Sequence, residues 1–468
     1  MNSELGRLLG ADPEAQQQRF AVLMADVSTA TQPGRHSSSS ASPTQAHKRF
    51  IRNQIPDSVL NDASLNAAIA SLPSNYNFEI HKSVWRIRSS SAKRVALQFP
   101  EGLLIHALSI ADIFTTHAGV SHCFVFGDVT YGACCVDDFS ASALNVDLLI
   151  HYGHSCLVPV DTTRVPCLYV FVEIEIDVSH LVDTVLLNCS GKGIVLAGTI
   201  QFVSAIREAK CELEQHGLSV LVPQSKPLSR GEVLGCTAPK ICGNSKSLRN
   251  FSSENAVLVF VADGRFHLEA LMIANPEIKA FRYDPYLKKL FLEEYDHKGM
   301  RESRRRAIEK ARGAKNWGIV VGTLGRQGNP RILQRLEKKM KEKNLSCFLV
   351  LMSEINPSRI ALFEDTIDAW VQIACPRLSI DWGEAFEKPL LTSFEAEIAL
   401  SAFPGWWEKK DERSCPCAHD DRDNEQGLMG DYPMDYYSQE GGEWNACFVK
   451  KVSTSEPKKK DTLFPIPP

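Results

Sequence analysis

Three times along the chain a short, strand-like apolar run ends in a glycine or polar loop and gives way to a segment with helical spacing. The runs are Arg94-Val-Ala-Leu-Gln-Phe99, Gly193-Ile-Val-Leu-Ala-Gly198 and Trp317-Gly-Ile-Val-Val-Gly322, and the amphipathic stretches after them cover 103–114, 202–216 and 331–343. A strand that reaches its parallel neighbour must cross over, most often through a helix, and repeated βαβ units build mostly parallel sheets covered on both faces. The predicted fold class is therefore α/β: three consecutive, similar α/β domains with mostly parallel sheets. The expected boundaries are 53–190 for a helical lead-in and first domain, 191–312 for the second domain with a helical connector, and 313–405 for the third. Ser-rich residues 1–52 read as a disordered tail, and 406–468, acidic at 411–425 and proline-rich at the end, as an irregular tail. The lead-in carries Leu60, Leu65, Ile69 and Leu72 at helical spacing, and the connector 287–311, with Arg301, Arg304, Arg305 and Arg306, reads as a helix with a solvated charged face.

A length of 468 residues leaves room for about three domains, and 44% hydrophobic against 23% charged residues is the makeup of a folded chain. The formal net charge of -4 supplies no global field for a phosphate backbone or an anionic membrane, so no direct nucleic acid and no membrane partner is expected. No apolar run approaches the roughly 18–20 residues of a membrane span. The first twenty residues carry Glu4, Asp12 and Glu14 without a long apolar stretch, which speaks against a secretory signal and for a cytoplasmic protein. There the fourteen cysteines would be mostly reduced thiols, available for packing, metal binding or catalysis.

Cys123, Cys167, Cys189, Cys211 and Cys347 lie in or beside apolar segments and read as packing residues. Three others stand in loops at the ends of predicted strands, one in each domain: Cys134 in Tyr131-Gly-Ala-Cys-Cys-Val-Asp-Asp138, Cys236 in Gly235-Cys-Thr-Ala-Pro239 and Cys375 in Ala374-Cys-Pro-Arg-Leu378. Ligands bind at the carboxyl edge of open α/β sheets, so three loops at that edge could converge on one centre. Counted from the first strand of each repeat, Cys134 and Cys236 stand at similar offsets and Cys375 further on. Three converging thiolates would hold three irons of a 4Fe-4S cluster and leave the fourth open to a substrate. Cys134 and Cys135 are adjacent, their side chains point apart in an extended loop, and spacing does not choose between them. Cys415-Pro-Cys417 with His419 resembles half of a zinc site that no second half completes.

Two further loops are rich in glycine and polar groups, His151-Tyr-Gly-His-Ser155 and Gly322-Thr-Leu-Gly-Arg-Gln-Gly-Asn329. Glycine permits close backbone approach to a ligand, although tight turning explains it equally well, and neither loop fits a dinucleotide or P-loop fingerprint. Arg377 and Asp381 could grip an amino-acid-like group, or simply pair with each other.

Leu72-Pro-Ser-Asn-Tyr-Asn-Phe-Glu79, Gln98-Phe-Pro-Glu-Gly102, Gly127-Asp-Val-Thr-Tyr-Gly-Ala-Cys-Cys-Val-Asp-Asp138, His151-Tyr-Gly-His-Ser-Cys156 and Gln372-Ile-Ala-Cys-Pro-Arg-Leu-Ser-Ile-Asp381 closely resemble the first subunit of the eukaryotic diphthamide synthases, the 2-(3-amino-3-carboxypropyl)histidine synthase family. The resemblance covers about 53–403 and extends to Asp431-Tyr-Pro-Met-Asp-Tyr436; the ends of the chain depart from it. It implies an unconventional radical S-adenosylmethionine transferase with a central cluster site between three α/β domains. It also implies Cys134, rather than Cys135, with Cys236 and Cys375 as ligands of the 4Fe-4S cluster. The CxxxCxxC loop of mainstream radical enzymes is absent, as the family leads one to expect. The implied reaction moves the 3-amino-3-carboxypropyl group of S-adenosyl-L-methionine to carbon 2 of a histidine in translation elongation factor 2, with no catalytic side chain needed beyond the cluster. Loop placement puts the methionine end of S-adenosylmethionine near Gly153, His154, Ser155, Gly322, Gly325, Arg377 and Asp381. Implied partners are a paralogous second subunit in a heterodimer and a small iron-binding electron donor. The rival readings are a quinolinate-synthase-like 4Fe-4S dehydratase, which shares the three-cysteine plan, and a non-catalytic scaffold subunit that bears the cluster.

Overall fold

The computed structural model describes residues 55–127, 135–155, 157–189, 191–241, 256–363, 365–401, 403–408 and 431–447. The expected N-terminal tail, Cys134, Cys156 and the Cys415, Cys417 and His419 group lie outside the described residues.

The lead-in consists of α1 (Asp57–Leu60) and α2 (Ala63–Ile69), the latter capped by Asp62, whose carboxylate accepts from the Ser64 and Leu65 amides. A short β1 (Tyr76–Asn77) leads to α3 (Ile80–Ser90), which packs Val84 and Ile87 onto the first sheet. That sheet holds β2 (Arg94–Phe99), β3 (His122–Gly127), β4 (Leu148–Tyr152) and β5 (Cys167–Val170), with α4 (Ala107–His117) and α5 (Asp138–Ala143) in the crossovers. Strand β6 (Glu173–Ile174) pairs antiparallel with β1, and α6 (Val178–Asn188) follows. The second sheet holds β7 (Gly193–Gly198), β8 (Val220–Leu221), β9 (Ala256–Val261), β10 (Lys279–Asp284) and β11 (Lys289–Glu293), with α7 (Val203–Gln215) and α8 (Phe266–Ala274). Helix α9 (His297–Arg312) leads to the third sheet: β12 (Asn316–Gly322), β13 (Ser346–Met352), β14 (Ala369–Ile373) and β15 (Leu390–Leu391), with α10 (Pro330–Glu342), α11 (Pro357–Ala361), α12 (Pro376–Trp382) and α13 (Ser393–Leu400).

The three sheets repeat one topology. Their orders are β3-β2-β4-β5, β8-β7-β9-β10-β11 and β13-β12-β14-β15, in each case second strand, first, third, fourth. Every pairing within them is parallel except β10 with β11. In this order the crossovers leave the first and third strands toward opposite faces, which opens a crevice at their carboxyl ends. The central strands are buried along nearly their whole length because helices cover both faces. One face of the second sheet and one of the third share a core built on Leu258, Phe260, Trp317, Ile319 and Val371. Among the described residues no helix is long and apolar enough to cross a membrane.

The structure departs from the sequence reading in four places. The connector 287–311 is not one helix: its start is β11, folded back on β10 through Lys288 at φ +52°, and the helix begins at His297. Arg304 does not sit on a solvated face; it is buried and donates through Nε and Nη2 to the two oxygens of Glu395, at 2.7 Å each. Cys211 and Cys347 are exposed rather than packed. Most consequentially, 406–468 is not all tail, since Trp406, Tyr432, Met434, Tyr436 and Tyr437 are buried in the core shared by the second and third sheets. Acidic neighbours masked this segment in composition, whereas a tyrosine contributes a large apolar ring as well as a hydroxyl.

Candidate functional site

The carboxyl ends of the three sheets meet around the segment 431–447, a strap laid between loops of all three. Tyr432 Oη donates to Glu395 at 2.8 Å, so the Arg304–Glu395 pair also anchors the strap's start. Tyr436 Oη bonds Thr392 Oγ1 at 3.1 Å, and Asn329 Nδ2 donates to Ala446 O at 3.2 Å near its end.

Cys236 occupies the tip of a tight turn. Leu234 and Thr237 exchange both backbone hydrogen bonds, at 3.0 and 3.1 Å, leaving Gly235 and Cys236 between them. The strap fastens this turn: Thr237 bridges Asp435, the Ala238 N–H donates to Met434 O at 2.8 Å and the Tyr436 N–H to Cys236 O at 3.3 Å. Gly235 lies against the Phe266 ring with no room for a Cβ, so glycine is required by contact. Cys236 is buried, and the Thr237 hydroxyl donates to its Sγ at 3.7 Å.

Cys375 is placed by more local means. It follows β14 by two residues and stands at the N-cap of α12, where Pro376 starts the helix. Gln372 Nε2 donates to Cys375 O at 2.9 Å and to Ser379 Oγ at 3.1 Å. A Cβ on Gly322 would come 2.9 Å from the Ala374 Cβ, so this glycine lets the β12 and β14 loops lie side by side. Cys134 follows β3 and Cys236 follows β8, the second strands of their sheets, whereas Cys375 follows the third strand of its own. That accounts for its longer offset.

The first-sheet loop is described from Cys135 onward. Gln98 grips it twice: Nε2 donates to Cys135 O at 2.8 Å, and Oε1 accepts the Asp137 N–H at 2.9 Å. The Cys135 Sγ lies 3.9 Å from Tyr437 Oη. Tyr437 in turn donates its backbone N–H to Thr237 Oγ1 at 3.1 Å and shares a small cleft with Gln327, Gln372, Ala374 and Pro376. One strap residue thus touches the neighbours of Cys134 and Cys236 and lines a cleft with both neighbours of Cys375. The third-sheet loop also reaches the first sheet directly. Arg326 donates to both oxygens of Asp138 at 2.7 Å, and Gly325, at φ +53°, would place a Cβ 2.6 Å from Val136 O.

The residues expected near an amino-acid-like ligand have partners of their own. Gly153 has φ +75°, and its carbonyl accepts from Gln201 Nε2 at 2.5 Å. Ser155 donates to Glu232, whose carboxyl is pushed up by burial although the hydrogen bond from Ser155 opposes the shift. Arg377 is fully buried: Nε donates to Asp381 at 2.8 Å, Nη1 to Phe266 O at 2.6 Å and Nη2 to Glu269, while the guanidinium carbon sits 4.3 Å from the Phe266 ring centroid. Burial disfavours its charge, but Asp381 and Glu269 outweigh that and raise its pKa. Arg377 and Asp381 are thus an ion pair, the plainer of the two sequence readings, and Glu269 joins it.

His154 Nε2, both ring nitrogens of His151 and His267 Nδ1 are buried with no hydrogen-bond partner among the described residues. Burial drives these histidines down to about 3 for His151, about 4 for His154 and about 3 for His267, so all three are neutral near pH 7. Of the expected contacts, His154 is the one with an orphaned buried nitrogen. Sequence reasoning passed over Gln98, Gln372, Thr237 and Tyr437 as site residues. The two glutamines carried a signal, each being a lone amide near the end of an otherwise apolar strand, while Thr237 and Tyr437 become visible only when the strap is in place.

Among the described residues no three His, Cys, Asp or Glu side chains stand close enough to hold a metal ion. The donor set nonetheless suits an iron–sulfur centre, because Cys236 and Cys375 sit on turns that the strap and Gln372 hold fixed, and the described part of the Cys134 loop ends beside the same tyrosine.

Comparison with known proteins agrees with this architecture. The diphthamide synthesis protein family model matches residues 99–411. The chain is 48% identical over 422 residues to the 2-(3-amino-3-carboxypropyl)histidine synthase subunit 1 of Gallus gallus, covering 90% of this chain and 94% of that one. It is 50% identical over 406 residues to the protein of the same name from Mus musculus, covering 85% and 84%. Among solved structures it is similar to Dph2 from Pyrococcus horikoshii with a 4Fe-4S cluster, at 28% identity and a TM-score of 0.55, covering 69% of this chain and 90% of that one. On matches of this extent and identity, the chain belongs to the diphthamide synthesis protein family.

Proposed function

We propose that the chain is a 2-(3-amino-3-carboxypropyl)histidine synthase subunit that transfers the 3-amino-3-carboxypropyl group of S-adenosylmethionine to carbon 2 of a histidine in translation elongation factor 2, at a 4Fe-4S cluster held by Cys134, Cys236 and Cys375. The observation that carries this reading is Tyr437, which draws the surroundings of all three cysteines to one place. The relatives' shared name and the cluster in the Pyrococcus horikoshii structure support it. Held by Cys134, Cys236 and Cys375, a bound cluster would supply the one-electron reduction needed to cleave the bond from sulfur to the methionine γ-carbon, with methylthioadenosine as the released product.

The chain's own residues position the ligand set and keep water away. The Thr237 and Gln372 hydrogen bonds fix two ligand turns, and the strap closes the crevice with aromatic side chains. The methionine end of the substrate belongs near His154 and the Gly322–Gly325 backbone. Arg377 pairs with Asp381 and Glu269, and Glu269 is shared with Arg265, so two guanidinium groups balance two carboxylates and Arg377 brings no unpaired charge to the substrate. A paralogous subunit completes a heterodimer, a small iron-binding protein delivers electrons, and the cytoplasm, where elongation factor 2 works, is the setting.

Product chromatography after the anaerobically reconstituted heterodimer meets dithionite and S-adenosylmethionine tests this. Methylthioadenosine is expected from the unaltered chain and is lost in Cys375→Ala. Release of 5′-deoxyadenosine instead would mean conventional radical cleavage, and neither product would return the chain to a scaffold or dehydratase role.

A further inference from the structure

The sulfur of Cys236 has a hydroxyl beside it whose direction is set from 200 residues away. Thr237 is fully buried, and its Oγ1 accepts the Tyr437 N–H at 3.1 Å. A hydroxyl has one hydrogen, and that of Thr237 is donated to Cys236 Sγ at 3.7 Å. The residue has little freedom to turn away. Its backbone is paired with Leu234 on one side and Asp435 on the other, and a β-branched side chain is stiff at χ1.

We propose that Thr237 is a positioning residue for Cys236, whose O–H holds the ligand sulfur and favours the reduced state of the cluster, with the strap 431–447 keeping that hydroxyl aimed. The inference rests on the cluster reading above. Hydrogen bonds to cluster sulfurs are among the levers on reduction potential, and partners behind the ligands orient them. A donor at the sulfur stabilises the added electron, so its removal makes the centre harder to reduce.

The test is a spectroelectrochemical titration of the full chain, reconstituted anaerobically with iron and sulfide, comparing Thr237→Val, Thr237→Ala and Thr237→Ser. Valine keeps the shape and loses the hydroxyl, alanine loses the hydroxyl without a bulk constraint, and serine restores it. The expected result is that Val and Ala bind as much iron as the unaltered chain but show a more negative midpoint. The ratio of reduced to oxidised cluster at fixed potential falls about tenfold, which is about 59 mV for a one-electron couple. Serine returns the midpoint to that of the unaltered chain. A Val or Ala protein with an unshifted midpoint overturns the proposal. So does a Ser protein that behaves like Val, because the methyl group and not the hydroxyl would then be what matters. If Val is poorly folded, the Ala and Ser pair decides alone. Failure of the underlying reading shows separately, as an unaltered chain that takes up no cluster.

Discussion

The turns that carry Cys236 and Cys375 are held in place by opposite means. The Cys375 turn is largely self-contained: its carbonyl is held by Gln372, three residues earlier, and Pro376 starts the helix immediately after it. The Cys236 turn closes on itself through the Leu234–Thr237 pair and is further held by Met434, Asp435, Tyr436 and Tyr437. A locally held turn needs only its own strand and helix to form. A turn held from a distance depends on whatever holds the strap, so damage to the strap's anchor should reach Cys236 well before Cys375.

The largest effect is expected at that anchor. Arg304→Met leaves the buried Glu395 carboxylate with the Tyr432 hydroxyl and its own capping contacts but no counter-charge. Removing one partner of a buried ion pair costs about 3–5 kcal/mol, far more than the pair itself contributes over an apolar substitute. Denaturant unfolding should show that loss, and protease should cut the strap first. A double change, Arg304→Met with Glu395→Leu, should recover much of the stability, since no charge is then stranded. If the single variant is cut at the Cys375 turn before the strap, the contrast between the two turns is wrong.

An intermediate effect concerns pH. His151, His154 and His267 have folded-state values of about 3, 4 and 3, below the ordinary 6.5. Between those limits the unfolded chain binds more protons than the folded one, so stability is full above about pH 6.5 and falls as the pH drops toward 4. At pH 5.5 the loss is about 1.4 kcal/mol for each histidine that stays neutral in the fold. Unfolding free energies at pH 7.5 and 5.5 measure the sum, and His154→Gln should flatten the slope by one histidine's share. An unchanged slope would mean that the His154 nitrogen finds a proton acceptor in the folded chain.

The same contrast marks what could be read from sequence. Strands β2, β7 and β12 are legible because a buried parallel strand is a nearly continuous apolar run, and the helices after them because an apolar stripe recurs every three to four residues. The Cys375 turn is legible for the same reason that it is stable, its determinants lying within ten residues of one another. Strand β11 was lost in the charged character of the helix that follows, because an edge strand at a sheet margin need not be apolar. Arg304 looked solvated because its partner lies 91 residues away. Thr237 and Tyr437 could not be linked, since no periodicity connects residues that meet only across three sheets. The resemblance to a family singled out Cys134 over Cys135, a choice that spacing left open.

The smallest predicted effect separates backbone strain from inter-sheet contact. Gly191 and Gly325 both have positive φ, +74° and +53°, a region that costs a residue with a Cβ about 1–2 kcal/mol. A Cβ on Gly191 meets nothing within 4 Å, so Gly191→Ala should show the conformational cost alone. On Gly325 it would meet Val136 O at 2.6 Å and Cys135 O at 3.2 Å, both backbone atoms of the first-sheet cysteine loop. Gly325→Ala therefore has to push two loops apart as well, at a further cost of about 1 kcal/mol. The movement should loosen the Arg326–Asp138 pair beside it, which is bidentate and buried on the aspartate side. Thermal unfolding of the two variants measures the difference. Equal losses would mean that the third-sheet loop gives way freely and that Arg326, rather than the close backbone approach, keeps it against the first sheet.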